Sequence, residues 1–77
     1  LRITPASASM RADESLSFTA EIIDGTPGVM WSVAAGAGTV TPAGVFTLPP
    51  DAVPGSVTAL RAQNADGAYN ICLIRTR

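Results

Sequence analysis

The chain has 77 residues, which predicts one domain with a thin core, because chains this short bury only about 60% of their unfolded surface. Its net charge is −1, and 14% of its residues are charged, against about 25% in ordinary soluble domains. The near-neutral charge argues against nucleic-acid or anionic-membrane partners, and the lack of histidine excludes Ser-His-Asp catalysis and, with a single cysteine, zinc sites within this chain.

The stretch 25–50 carries no charge, yet it holds five glycines and four prolines. It therefore lacks the continuous apolar run of about 20 residues that a membrane-spanning helix needs, and no membrane insertion is expected. The chain begins at Leu1 without the charged and apolar segments of a signal peptide. We expect a single domain over 1–77 that belongs to a longer multidomain protein.

Short runs of alternating apolar and polar residues, separated by Gly, Pro, Asn and Asp, predict strands rather than helices. The predicted strands are 1–4, 6–10, 15–22, 29–33, 39–41, 45–48, 56–63 and 68–76. Pro5 has no N–H group and suits an edge position or the point at which the chain changes sheet. The spacing favours an antiparallel Greek-key β-sandwich of about seven strands, with a small barrel as the alternative.

Strand alternation predicts which side chains face the core. The predicted core residues are Leu16, Phe18, Trp31, Val33, Phe46, Leu60 and Ile71. In strand 56–63 the expected inward residues are Thr58, Leu60 and Ala62, which places Arg61 on the solvent face. In the last strand we expect Tyr69, Ile71 and Leu73 to face inward, with Cys72 and Ile74 on the other face.

Two side chains have a functional interpretation beside the structural one. Trp31, the single tryptophan, could form a sugar-stacking platform, but its alternation with Val29 and Val33 favours a core position. Cys72 is the single cysteine, so no internal disulfide can form. Without a histidine or lysine in the chain to lower its pKa, a structural or partly exposed thiol is favoured over a reactive one.

Two turn aspartates, Asp24 and Asp66, are the candidate metal ligands. Alternate loops of a Greek-key sandwich fall at opposite ends, which would place 23–28, 42–44 and 64–67 beside the N-terminus and the other loops beside the C-terminus. Ca²⁺ takes about six to eight oxygen ligands, so two carboxylates would need a neighbouring domain to complete the shell. Solvated turn residues are therefore favoured, and no cofactor is expected.

Taken in order, the segments 3–5, 16–20, 29–33, 38–41, 43–49 and 60–67 cover nearly the whole chain. This ordered set resembles the bacterial immunoglobulin-like domains of the group 2 type. The last strand departs from the family pattern, because Asn70, Cys72 and Arg75 replace a plainer Val/Thr alternation.

The resemblance implies an immunoglobulin-like sandwich from a bacterial or phage protein that is secreted, on the cell surface or part of a virion. It implies a non-catalytic spacer or display module that contributes to adhesion. Neighbouring domains and a cell-surface protein or glycan are the expected partners. The alternative is a carbohydrate-binding accessory module of a secreted enzyme or virion protein.

Overall fold

A computed structural model describes residues 1–22 and 28–77, and no helix forms within them. Nine strands make up this part of the chain: β1 (Arg2–Thr4), β2 (Ser7–Met10), β3 (Ser15–Ser17), β4 (Thr19–Glu21), β5 (Val29–Ala35), β6 (Thr39–Val40), β7 (Val45–Thr47), β8 (Val57–Asn64) and β9 (Tyr69–Thr76). The predicted all-β class is confirmed, but the described residues hold nine strands rather than about seven.

The strands form three hydrogen-bonded sheets in a sandwich-like arrangement. The largest has the order β2-β9-β8-β5, a second has the order β3-β7-β6, and β1 pairs with β4. The antiparallel pair β8 and β9 is the longest element, with eight residues in each strand. The four-stranded sheet therefore supplies most of one side of the molecule.

Two breaks in the chain explain the extra strands. The predicted strand 15–22 divides at Phe18, so that β3 pairs with β7 while β4 pairs with β1. The chain also changes sheet at Pro5, because β1 lies beside β4 and β2 runs parallel to β9. The sheet change predicted at Pro5 is thus present, and a second one occurs where no proline marks it.

The core lies between the sheets and is built from side chains of all three. Its buried apolar residues are Ile3, Met10, Phe18, Phe46, Leu48, Leu60, Ala62, Cys72 and Ile74. Phe18 and Phe46 meet edge to face, with ring centroids 6.5 Å apart and an interplanar angle of 82°. Such aromatic pairs stabilise a fold by about 0.5–1.5 kcal/mol beyond the area that they bury. Three of the predicted core residues, Phe18, Phe46 and Leu60, belong to this cluster.

The inward face of β8 agrees with the sequence pattern. Thr58, Leu60 and Ala62 are buried, as alternation along this strand predicts. The turn into β9 follows the predicted 64–67, where Asn64 Oδ1 accepts hydrogen bonds from the backbone N–H groups of Asp66 (3.1 Å) and Ala68 (2.9 Å). This buried asparagine fixes the turn and, through it, the register of β8 against β9.

The prediction for β9 was wrong, because it assigned the inward and outward faces of the strand the wrong way round. Cys72 and Ile74 are buried, whereas Tyr69 and Leu73 are exposed and Ile71 is half-buried on the opposite face. The register with β8 sets this orientation, because it places Cys72 opposite the buried Leu60. Partners in a ladder share a face, so a shift of one residue exchanges every side chain between core and surface.

Among the other predicted core residues, Leu16 is 36% exposed. It lies opposite the buried Phe46, but its strand β3 is at the edge of the three-stranded sheet, so one flank of the side chain is open. Trp31 and Val33 face inward and pack on the core while staying half-buried, because β5 is likewise an edge strand. Trp31 therefore borders the core rather than filling its centre.

The two ends of the chain lie near opposite ends of β9, in a molecule that measures 37 × 17 × 17 Å. At one end, Asn70 Nδ2 donates to Leu1 O at 3.2 Å, close to the β8–β9 turn. At the other, the backbone N–H of Arg77 donates to Met10 O at 2.9 Å. The long axis of the sandwich therefore separates the N-terminal residue from the C-terminal one.

Candidate interaction surface

The outward side of the four-stranded sheet, called the outer face below, carries exposed apolar side chains and two arginines. Register partners along the ladders show which side chains share this face. Its members are Ser7, Ser9, Met30, Ser32, Val57, Ala59, Arg61, Gln63, Tyr69, Ile71, Leu73 and Arg75. Met30 is 72% exposed, Tyr69 59% and Leu73 54%. Large apolar side chains thus remain in water on one contiguous face, a common mark of an interaction site.

At the centre of the outer face, Arg61 is held in a defined position. Its guanidinium carbon lies 4.4 Å from the centroid of the Tyr69 ring. Its Nη2 donates to Gln63 Oε1 at 2.9 Å, while Nε is buried without a hydrogen-bond partner among the described residues. The stack and the hydrogen bond fix a planar cation among apolar neighbours before any partner arrives.

A shallow open cavity of about 520 Å³ lies at the β2 side of the outer face. Its lining comprises Ser7, Ala8, Ser9, Val57, Leu73 and Arg75. Arg75 supplies the charge here and Leu73 connects the cavity with the Tyr69 region along β9. The outer face thus combines a centre formed by Arg61 and Tyr69 with a depression at one edge.

Trp31 lines a second, smaller cleft of about 310 Å³ on the side where β5 approaches β6. Val29, Met30, Val40 and Pro42 complete its lining, so every side chain around it is apolar. Sugar sites combine a ring platform with convergent polar side chains. The lining of this cleft supplies the ring without such partners.

Cys72 is buried in the core, which corrects its predicted place on the outward face of the last strand. Its Sγ–H group donates a weak hydrogen bond to Pro5 O at 3.5 Å. Burial removes water from the sulfur, and this desolvation raises the pKa of the Cys72 thiol. The thiol is therefore a neutral packing group at neutral pH.

Of the two candidate calcium ligands, Asp24 and Asp66, only Asp66 lies among the described residues. Asp24 lies outside the described residues, so its distance from Asp66 is not defined. Asp66 lies in the β8–β9 turn at the N-terminal end of the molecule. Within residues 1–22 and 28–77, no group of three His, Cys, Asp or Glu side chains is placed to hold a metal ion.

The outer face was missed by the sequence analysis because Tyr69 and Leu73 were assigned to the core. A signal was nevertheless present: β9 has apolar residues at both parities, with Ile71 and Leu73 on one side and Cys72 and Ile74 on the other. A strand that faces solvent on one side normally alternates apolar and polar residues. Apolar residues on both sides of β9 therefore indicate that its solvent-exposed side is a candidate interaction surface.

A scan against protein-family models finds no match for this chain. A search of curated proteins likewise returns no match. In the part of the chain that the structure describes, no helix is long and apolar enough to cross a membrane.

Proposed function

We propose that this chain is a non-catalytic structural and interaction module, a spacer or display domain of a bacterial or phage protein that is secreted or surface-exposed. The observation that carries the proposal is the placement of the chain ends. Leu1 and Arg77 lie near opposite ends of strand β9, in a body 37 Å long and 17 Å wide. A domain of this shape extends a chain of domains along its own long axis.

The strand order supports an immunoglobulin-like Greek key, whereas the group 2 bacterial type rests on the sequence resemblance alone. In such domains one sheet has the order A-B-E-D and the other C-F-G. Here β1 pairs with β4, β3 with β7 and β7 with β6, and the other sheet contains β5-β8-β9. If the first strand (β1 and β2) and the second (β3 and β4) are each counted once, the nine strands reduce to the seven of that fold.

A carbohydrate-binding accessory module, the alternative, has less support. The half-buried Trp31 lies in an apolar cleft, with no polar side chain in its lining to orient a sugar. Tyr69 is more exposed, but Arg61 is stacked on its ring. The cleft beside Trp31 therefore lacks the hydrogen-bonding groups that a sugar site places next to a ring, and the Arg61 guanidinium occupies one face of the Tyr69 ring.

The proposed location is tested by labelling intact cells that produce the complete polypeptide, or intact virions that contain it. Antibodies raised against the folded chain should label them without permeabilisation, or should detect the polypeptide in the medium. An antibody against a cytoplasmic protein of the same cells serves as the control for leakage. Labelling that appears only after permeabilisation, with none in the medium, would contradict a surface or secreted role.

A further inference from the structure

We infer that the outer face is a docking surface for a partner protein that presents carboxylates among apolar side chains. This inference deepens the proposed interaction role and rests on it, because it names the surface and the partner chemistry of such a module. Three observations carry it: the composition of the face, the fixed position of Arg61 and the distribution of charge over the four strands.

The composition of the outer face is that of an interface core. Protein interfaces are enriched in Tyr, Trp, Phe, Met and Arg, and depleted of Lys, Glu, Asp, Ser and Ala. The strands of the outer face contain no lysine or acidic residue, and its small residues are three serines and one alanine. The exposed side chains here include Met30, Tyr69, Leu73 and Arg75, with the half-buried Arg61 between them. Tyrosine and arginine are also among the residues that most often dominate binding energy. The face thus has the side chains that a protein partner engages.

Arg61 is preorganised for a carboxylate. Its guanidinium is fixed by the Tyr69 ring and by Gln63 Oε1, so little side-chain entropy remains to be lost on binding. A guanidinium presents a planar set of donors that matches a carboxylate. Its half-buried position among apolar side chains strengthens such a pair relative to one in open water.

The charge of the four-stranded sheet determines which sign of charge the partner must carry. Strands β2, β5, β8 and β9 contain two arginines, Arg61 and Arg75, and no aspartate or glutamate. Both arginines lie on the outer face, opposite Ile71 and Val57 in the β8–β9 ladder. The face is therefore cationic although the whole chain has a net charge of −1. An acidic partner is complementary to it.

The same charge argues against a second copy of this chain. Packing two outer faces together would bring four arginines into one interface without an acidic residue from these strands. A polysaccharide is also disfavoured, because the face offers one aromatic ring, Tyr69, and the Arg61 guanidinium is stacked on it. An acidic, partly apolar protein segment fits both the charge and the apolar area.

The test uses a displayed library of random 15-residue peptides selected on the immobilised full chain. Binding of the enriched peptides is then measured to the wild type and to two outer-face variants, Arg61→Gln and Leu73→Thr. Matched controls are Arg2→Gln, an exposed arginine of β1, and Leu16→Thr, an exposed leucine of β3 on the other sheet. Circular dichroism and urea unfolding establish that each variant is folded before its affinity is compared.

We expect enriched peptides with net negative charge and apolar residues, with affinity that falls as salt is raised. Each outer-face variant should lose about tenfold in affinity, the loss expected of residues that dominate an interface, while the controls change less than about twofold. Several outcomes would overturn the inference: no enrichment, basic peptides, equal binding by the outer-face variants, self-association abolished by Leu73→Thr, or glycan binding abolished by it. These outcomes leave the surface-labelling result unaffected, so the two proposals fail separately.

Discussion

At the scale of single residues, burial determines the ionisation of Cys72. The folded chain holds the thiol away from water and raises its pKa, while the unfolded chain exposes a thiol whose pKa is about 8.5. Below that pH both states are protonated, and the stability that depends on the neutral thiol is fully present. As pH rises towards the folded-state pKa, the unfolded state loses its proton first, and this stability is lost.

The wild-type chain should therefore lose stability above about pH 8.5, by up to about 1.4 kcal/mol per pH unit from this one group. Urea unfolding at pH 7, 8, 9 and 10 measures the slope. Cys72→Ala supplies the control, since it removes the titrating group while leaving the other ionisable residues in place. An unchanged slope in Cys72→Ala would show that the thiol is not the source of the pH dependence.

At the scale of the elements, the turn between β6 and β7 depends on Gly44. Its φ is +89°, in the region that favours glycine, and a Cβ atom there would lie 2.5 Å from Phe18 O and 3.0 Å from Trp31 Cε2. The backbone N–H of Phe18 donates to Gly44 O at 2.8 Å, at the point where the predicted strand 15–22 divides. Gly44 thus allows the turn to lie against the break between β3 and β4.

Gly44→Ala should destabilise the chain by about 2–5 kcal/mol, as the sum of a left-handed backbone penalty and a steric clash. Gly55 is the matched control: its φ is also +89°, but a Cβ atom there has no neighbour within 4 Å. Gly55→Ala should cost only the backbone part, about 1–2 kcal/mol. Thermal or urea unfolding of both variants measures the difference, and equal losses would contradict the close approach at Gly44.

The elements also show why the sequence predicts some strands and misorients others. In β8 Leu60 and Ala62 are flanked by Ala59, Arg61 and Gln63, which are smaller or polar, so alternation suffices to place them, and Thr58 follows by the same parity. In β9 both parities are apolar, and the orientation follows from the Asn64-centred turn that sets the register. The break at Phe18 depends on contacts with Gly44, which lies 26 positions further along the chain and leaves no local signal.

The candidate site was less predictable than the fold, because it too depends on the register of β9 rather than on local alternation. Burial of Phe18, Phe46 and Leu60 follows from strand patterns, whereas the outer face exists only once β9 is oriented. Leu16 shows the related effect of position within a sheet, since its inward placement does not bury it in an edge strand. Which strand is an edge depends on the pairing of the whole chain.

At the scale of the whole molecule, the sandwich separates its ends and leaves one broad face free along its length. The ends lie beside the β8–β9 turn and beside β2, while the outer face runs between them on the four-stranded sheet. A module of this form both extends a string of domains and presents a lateral surface. The separation of the ends is the property on which the proposed spacer role depends most.

That separation is measured most directly by an electron–electron distance between spin labels at the two ends. Labels attached through Arg2→Cys and Arg77→Cys, in a chain whose buried cysteine is replaced by Cys72→Ala, avoid the native thiol. We expect one narrow distribution well above the 17 Å width of the molecule, because Leu1 is held at Asn70 and Arg77 lies about seven residues further along β9, or about 23 Å at the rise of a strand. A distribution centred near its 17 Å width would place both ends at the same end of the domain and contradict the spacer role.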